Sequence, residues 1–254
     1  MELSVNLRRN AVFAASLCLF VIPPLFAGPA PTWAFSEWAF PIKPLCYAAF
    51  AFALVRFSFP YSDRRTKGDA FRFVQTGYAL ASFGALCVIA AIIELAVRIS
   101  GGKTNVHLAL PSSIVETIFC IVNFACASFY EEALYRFYLP ETLGAILKDA
   151  FSQSQKNGAK AEKKESAGSE KKDGATENAV REKRAENAVR ISEALSVIAF
   201  ALSHRYLGIP SVANAFFAGI VLRICCKKSR SLWTNTLSHF AYNMLSLVLF
   251  ANMQ

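Results

Sequence analysis

The chain has 254 residues, of which 54% are hydrophobic, with a mean hydropathy of +0.35 and a formal net charge of +9. That apolar content exceeds what one soluble core of this length uses, and an integral membrane protein is the class that fits. The seven cysteines are odd in number, form no CxxC pair and lie almost entirely in apolar runs, which argues against a disulfide framework and a thiolate metal site.

Windows of about 17 to 25 apolar residues predict seven spans in chain order: Ala11 to Ala27, Leu45 to Val55 with its flanks, Phe73 to Val97, Ile114 to Tyr130, Ile191 to Arg205, Ser211 to Cys226, and Leu232 to Phe250. The first follows Arg8 and Arg9 as a signal peptide would, but "PPLFAGPAP" lacks a clean small-x-small site, so it reads as a signal anchor. The second and fifth are short, so the count lies between six and eight. The fold class is therefore all-α, a polytopic transmembrane helical bundle of about seven spans.

Basic residues cluster at Arg8 and Arg9, from Arg56 through Arg64, Arg65 and Lys67 to Arg72, from Lys148 to Arg190, and at Lys227, Lys228 and Arg230. The alternate loops hold only Lys43, then Arg98 and Lys103, then Arg205. By the positive-inside rule the N-terminus is cytoplasmic, and seven spans put the C-terminus on the far side. Trp33 and Trp38 then fall in the outer interface and Trp233 in the inner one. The net charge reflects loops beside an anionic leaflet, so the lipid bilayer is the expected partner and nucleic acid is not.

Composition divides the chain into N-terminal transmembrane helices over 1–110, a core over 111–150 and 191–254, and a charged low-complexity cytoplasmic insertion over 151–190. The insertion repeats "ENAVR" at Glu177 to Arg181 and at Glu186 to Arg190. It is too polar to offset its ordering entropy, which predicts disorder to about Thr176 and helix afterwards.

The stretch "FYEEALYRFYLP", Phe129 to Pro140, closes an apolar run with two carboxylates and an arginine. Each such charge at the centre of a membrane helix costs roughly 2.5 to 3.5 kcal/mol. On an α-helix Glu132 and Arg136 stand at i,i+4 and can pair, leaving Glu131 about 100° away to face something else. Two further runs carry histidine: "FALSH" puts Phe200 and His204 at i,i+4, and "HFAYN" does the same for His239 and Asn243. Such groups face a bundle interior rather than lipid. Glu94 has Arg98 at i+4 for an ion pair near the outer interface, Glu116 opens its span in the headgroup region, and His107 lies in a polar outer loop.

A carboxylate with two imidazoles can activate water, directly or through a metal, and an amide one turn from a histidine can donate to an oxyanion. Those are the parts of a peptide hydrolase. HExxH is absent, the four aspartates Asp63, Asp69, Asp149 and Asp173 are expected in loops, and Ser203 and Ser238 point away from the histidines that follow them. A transporter is disfavoured because no pair of Gly/Pro-broken helices recurs in two halves.

EEALYR, FALSH and HFAYN, in that order on separate apolar segments, resemble the EExxxR, FxxxH and HxxxN/D motifs of the CPBP (CAAX prenyl endopeptidase, or Abi) family of intramembrane proteases. The resemblance runs from about Ile114 to Leu249 around the insertion. It implies a helical bundle with a conical cavity open toward the cytoplasm and an intramembrane endopeptidase of a bacterial cytoplasmic membrane. A peptide or membrane-associated protein would be its substrate. It also implies roles. Glu131 and His204 would activate the attacking water, His239 and Asn243 would hold the oxyanion, and Glu132, Arg136 and Phe200 would support them. A divalent metal such as zinc on Glu131, His204 and His239 stays open as a second reading of the same residues. A non-catalytic scaffold or bacteriocin-immunity-like protein on the same fold is the alternative. Phe137 departs from the pattern, standing where many members have a small residue.

Depth sets one condition. At 1.5 Å per residue, His204 lies about 20 Å beyond Arg190 and His239 about 13 Å beyond Arg230. The two meet only if the helix before His204 tilts or begins on the membrane surface, with Ala185 to Ala194 partly interfacial.

Overall fold

The computed structural model describes residues 2–28, 38–58, 73–101, 109–165 and 174–251. Trp33, the basic residues from Arg64 to Arg72 with Asp63 and Asp69, Lys103, His107 and the stretch 166–173 lie outside the described residues.

Among the described residues every regular element is helical: α1 (Glu2–Ser16), α2 (Ile22–Phe26), α3 (Ile42–Ser58), α4 (Phe73–Ile99), α5 (Ile114–Glu131), α6 (Leu139–Glu165), α7 (Gly174–Ser203), α8 (Ile209–Ser229) and α9 (Leu232–Ala251). A 3₁₀ turn, Arg205–Leu207, links α7 to α8. Each of the seven expected apolar runs falls on a helix. By length and composition four helical stretches can cross a membrane: Asn6–Phe26, Val74–Ile99, Ile114–Gln153 and Ile209–Ser229. The α3 helix is one residue short of eighteen, α7 is charged in its first half, and α9 carries amides, hydroxyls and an imidazole. Large apolar side chains such as Leu80, Ile92, Ile99, Ile114 and Ile209 point outward, as a lipid-facing surface requires.

Two wide helical turns interrupt long helices, and proline explains both. A π turn over Leu17–Val21 joins α1 to α2, and a longer π segment over Glu132–Tyr138 joins α5 to α6. Proline has no N–H to give the carbonyl four residues earlier, and its ring crowds that carbonyl. Pro24 thus frees the carbonyl of Phe20, which accepts from the Tyr130 hydroxyl at 3.4 Å. Pro140 likewise frees the carbonyl of Arg136. In both places the chain closes the helix over five residues instead, Ile22 N–H donating to Leu17 and Leu139 N–H to Leu134.

The start of α5 is fixed by local chemistry. Ser113 Oγ accepts from the Glu116 N–H at 3.2 Å, and the Glu116 carboxylate accepts from the Ser112 N–H and hydroxyl at 2.7 and 2.8 Å. This is a capping box shifted by one residue. The Glu94–Arg98 pair forms at 2.9 Å, as its spacing predicted.

Two expectations change. The described parts of the insertion are helical where disorder was expected, α6 running to Glu165 and α7 starting at Gly174. Its Ala, Lys, Glu and Gln are strong helix formers that extend existing helices, so no new nucleus is needed. Asp149 is on α6 rather than in a loop, paired with Arg9 at 2.8 Å. Trp38 is buried and donates from its indole to the Ala109 carbonyl at 2.9 Å.

The core is built around the π segment. Leu134, Tyr135 and Tyr138 pack with Phe200 and Ala201 of α7 and Ala215 of α8, and Val21 and Leu54 close the other side. Helix α4 lies against α8 and α9, and α6 runs along α7. Phe137 fits beside Ala51, Val55 and Leu232, where small neighbours leave room for the larger ring.

Candidate active site

Glu131 ends α5 and Glu132 begins the π segment, so a change of helical geometry falls between the two carboxylates. Glu132 is fully buried. Its carboxylate accepts from His239 Nδ1 at 3.0 Å and from Asn235 Nδ2 at 3.0 Å. Asn235 also donates to the Leu222 carbonyl at 2.7 Å, which pins the amide between α8 and the π segment. The Arg136 guanidinium stands farther off, 3.8 Å from Glu132, with its carbon 3.7 Å above the Phe200 ring. The expected i,i+4 pair of Glu132 with Arg136 is present but long, and Glu132 has two closer partners besides. A π turn displaces the i,i+4 partners of an α-helix, and the closer contacts of Glu132 are to α9.

Glu131 is less buried, with 24% of its side chain exposed, and one oxygen lies 3.7 Å from His239 Nε2. That is too long for a hydrogen bond and suits a contact closed by a third atom. His239 is therefore held on one side and faces a carboxylate on the other. Its Nδ1–H donates to the inner carboxylate, which fixes the tautomer, and its Nε2 is turned to the outer one.

His204 sits one residue past the end of α7, its Nδ1 donating to the Phe200 carbonyl at 2.9 Å. A carbonyl only accepts, so Nδ1 carries the proton and Nε2 keeps its lone pair. The Phe200 ring meets His204 edge-on at 4.6 Å and His239 at 6.3 Å. One aromatic plate thereby spaces two imidazoles and the arginine. Gly219 makes this possible, since a Cβ there would lie 3.2 Å from Val197 and 3.5 Å from the Phe200 ring.

Glu131, His204, His239 and Asn243 line one cavity of about 590 Å³. His204 and His239 thus reach the same cavity. Its walls reach from Glu131 and His239 to Val97 near the end of α4 and to the 204–211 connection. Asn243 donates to Ser128 Oγ at 3.2 Å with its amide nitrogen, which fixes the amide plane on the cavity wall. Among the described residues no three His, Cys, Asp or Glu side chains come together as a metal-holding group, and Glu131, His204 and His239 form no such set. All seven cysteines are free thiols.

Two contributors escaped the sequence reading, and both left a trace. Asn235, His239 and Asn243 recur every four residues, one stripe of a helix, so the stripe extends one turn beyond HFAYN. Arg223 is a lone charge inside the apolar run "GIVLRICC", the kind of residue that marks a buried polar contact.

No curated protein sequence and no solved structure matches the chain. A family model described as type II CAAX prenyl endopeptidase Rce1-like matches residues 113–245, more than half of the chain, and all three motifs lie within the match. With its helical membrane bundle and one cavity uniting those motifs, the chain belongs to the Rce1-like family of type II CAAX prenyl endopeptidases.

Proposed function

We propose that the protein is an intramembrane endopeptidase that hydrolyses a peptide bond with water activated by Glu131. The carrying observation is that one carboxylate, two imidazoles and an amide from three separate motifs line a single cavity in an apolar bundle. Residues 111–150 and 191–254 form the catalytic core in this reading, and 1–110 and 151–190 serve it as scaffold and appendage.

Glu131 takes a proton from water as its oxygen attacks the scissile carbonyl, and later passes that proton to the departing amine. His204 presents Nε2 as a second acceptor that orients the water. His239, anchored by Glu132, and the Asn243 amide face the oxygen that becomes negative. Low dielectric inside the cavity strengthens each of these interactions. No step is routed through a metal, because the donor set does not converge. The substrate class that the family name supplies is a prenylated protein ending in a CAAX sequence.

The test uses purified protein in liposomes and an internally quenched, farnesylated peptide with a CAAX terminus, together with membrane proteomes of cells carrying wild-type protein or His204→Ala. A C-terminal fragment that appears with wild type and not with the variant is the expected result. Equal cleavage by the two proteins would remove the assignment. A protein whose cellular role survived Glu131→Ala but not deletion of 151–190 would be a scaffold instead.

Orientation is the second part of the proposal. The charge distribution puts the end of the bundle with Val97 and the 204–211 connection on the non-cytoplasmic side, and the cavity reaches that end. A cytoplasmic mouth, which the family resemblance implies, needs the opposite orientation. In a cysteine-free background, Ile209→Cys is expected to react with an impermeant maleimide in intact spheroplasts, and Lys228→Cys only after permeabilisation. The reverse pattern would turn the bundle over.

A further inference from the structure

The carbonyl that Pro140 frees sits in the middle of the site, on Arg136, and α8 supplies its donor. Arg223 is buried and donates from Nη1 to that carbonyl at 2.5 Å, with Cys226 Sγ more distant at 3.9 Å. The other amino nitrogen of Arg223 donates to Glu193 of α7 at 2.9 Å. Glu193 is also held by Lys227 at 3.0 Å, and Glu141 lies 3.8 Å from Arg223 on the first turn of α6. The residue just before Arg223 does complementary work, since the Leu222 carbonyl accepts from the Asn235 amide that holds Glu132. Two consecutive residues of α8 thus grip the π segment, one at the Glu132 carboxylate through Asn235 and one at the Arg136 backbone.

We infer that Arg223 is a positioning residue for the site: by closing the carbonyl that Pro140 leaves open, it fixes the register of the π segment and so the aim of Glu132 at His239. This rests on the reading of Glu131 and His239 as the reacting groups. The physical argument is one of satisfaction. A buried carbonyl without a donor favours re-winding of the turn until it finds one, and any re-winding rotates Glu132 away from α9. The guanidinium prevents this because its second arm is tied to α7, the helix that carries Phe200 and ends beside His204. A lysine offers a single charged point and cannot hold both arms in a fixed fork.

The test reads the His239 ring directly and does not depend on a substrate. In ¹⁵N-histidine spectra of the detergent-solubilised full chain, His239 is assigned by its loss in His239→Gln, and its Nδ1–H bond to Glu132 gives a characteristic proton and nitrogen shift. Arg223→Met is expected to move that signal toward the position of an unbonded imidazole, and Arg223→Lys to move it less. With the farnesylated peptide, Arg223→Met is expected to lower kcat about tenfold with KM within about twofold, the signature of lost alignment. A His239 signal unchanged in a folded Arg223→Met protein overturns the inference. If that variant does not fold, Glu193→Leu removes the acceptor that anchors the second arm and leaves Arg223 itself in place. It must still shift the His239 signal, and an unmoved signal is equally fatal. A protein that cleaves no probe would sink the peptidase reading and leave the His239 measurement standing.

Discussion

Glu131→Gln is expected to lower the rate of peptide cleavage by about two to four orders of magnitude, the usual worth of a positioned general base, with the bundle still folded. The two halves of that expectation have separate grounds. Rate falls because the amide cannot take the water's proton, although it fills the same space on the cavity wall. Stability holds because Glu131 has no close buried partner to lose. Its side chain is partly exposed and its nearest ring nitrogen is 3.7 Å away. Cleavage of the farnesylated peptide and a thermal unfolding curve, measured on one preparation, check both halves. A variant that cleaves at the wild-type rate would move the base to another residue. One that unfolds early would make Glu131 a structural group.

Its neighbour should behave in the opposite way. Glu132→Ala leaves the Arg136 guanidinium fully buried without a counter-charge, and none of the three guanidinium nitrogens has a hydrogen-bond partner. Breaking one side of a buried pair typically costs about 3 to 5 kcal/mol, and the Phe200 face returns only about 2 kcal/mol of cation–π attraction. The same change releases His239 Nδ1 and Asn235, so cleavage falls as well. Combining Glu132→Ala with Arg136→Met should recover much of the stability, because apolar side chains in place of a whole buried pair are often neutral, but none of the cleavage. Detergent-phase unfolding of the two single variants and the double variant separates these terms. Equal stability of Glu132→Ala and wild type would show that the guanidinium reaches water or another acid.

The difference between these adjacent carboxylates marks how far the sequence could be read. Apolar windows place the helices because burial in lipid leaves the backbone no alternative to hydrogen bonding within its own helix. The three motifs point to the cavity because polar side chains in such helices must face one another. What the sequence did not carry was the helix type at Glu132–Tyr138. An α-helical wheel pairs Glu132 with Arg136 and stops there, whereas the wider turn hands Glu132 to His239 and Asn235. Pro140 was the visible cause, four residues past Arg136. Its effect depended on α8 offering a guanidinium to the vacated carbonyl, a contact between residues 87 positions apart in the chain. The helices of the insertion have a related cause. Composition described it as an isolated peptide, but its first half grows from a helix already nucleated in the core.

The Tyr130 hydroxyl reaches across to the carbonyl that Pro24 frees on Phe20, and Tyr130 is the residue immediately before Glu131. The family match begins at residue 113, so the first helix lies outside the matched region. It is nevertheless joined to the neighbour of Glu131, which lines the cavity. Pruning the chain to its matched portion would keep every motif and sever the strut that braces one of them, so the boundary of resemblance is not the boundary of the structure that holds the site in place.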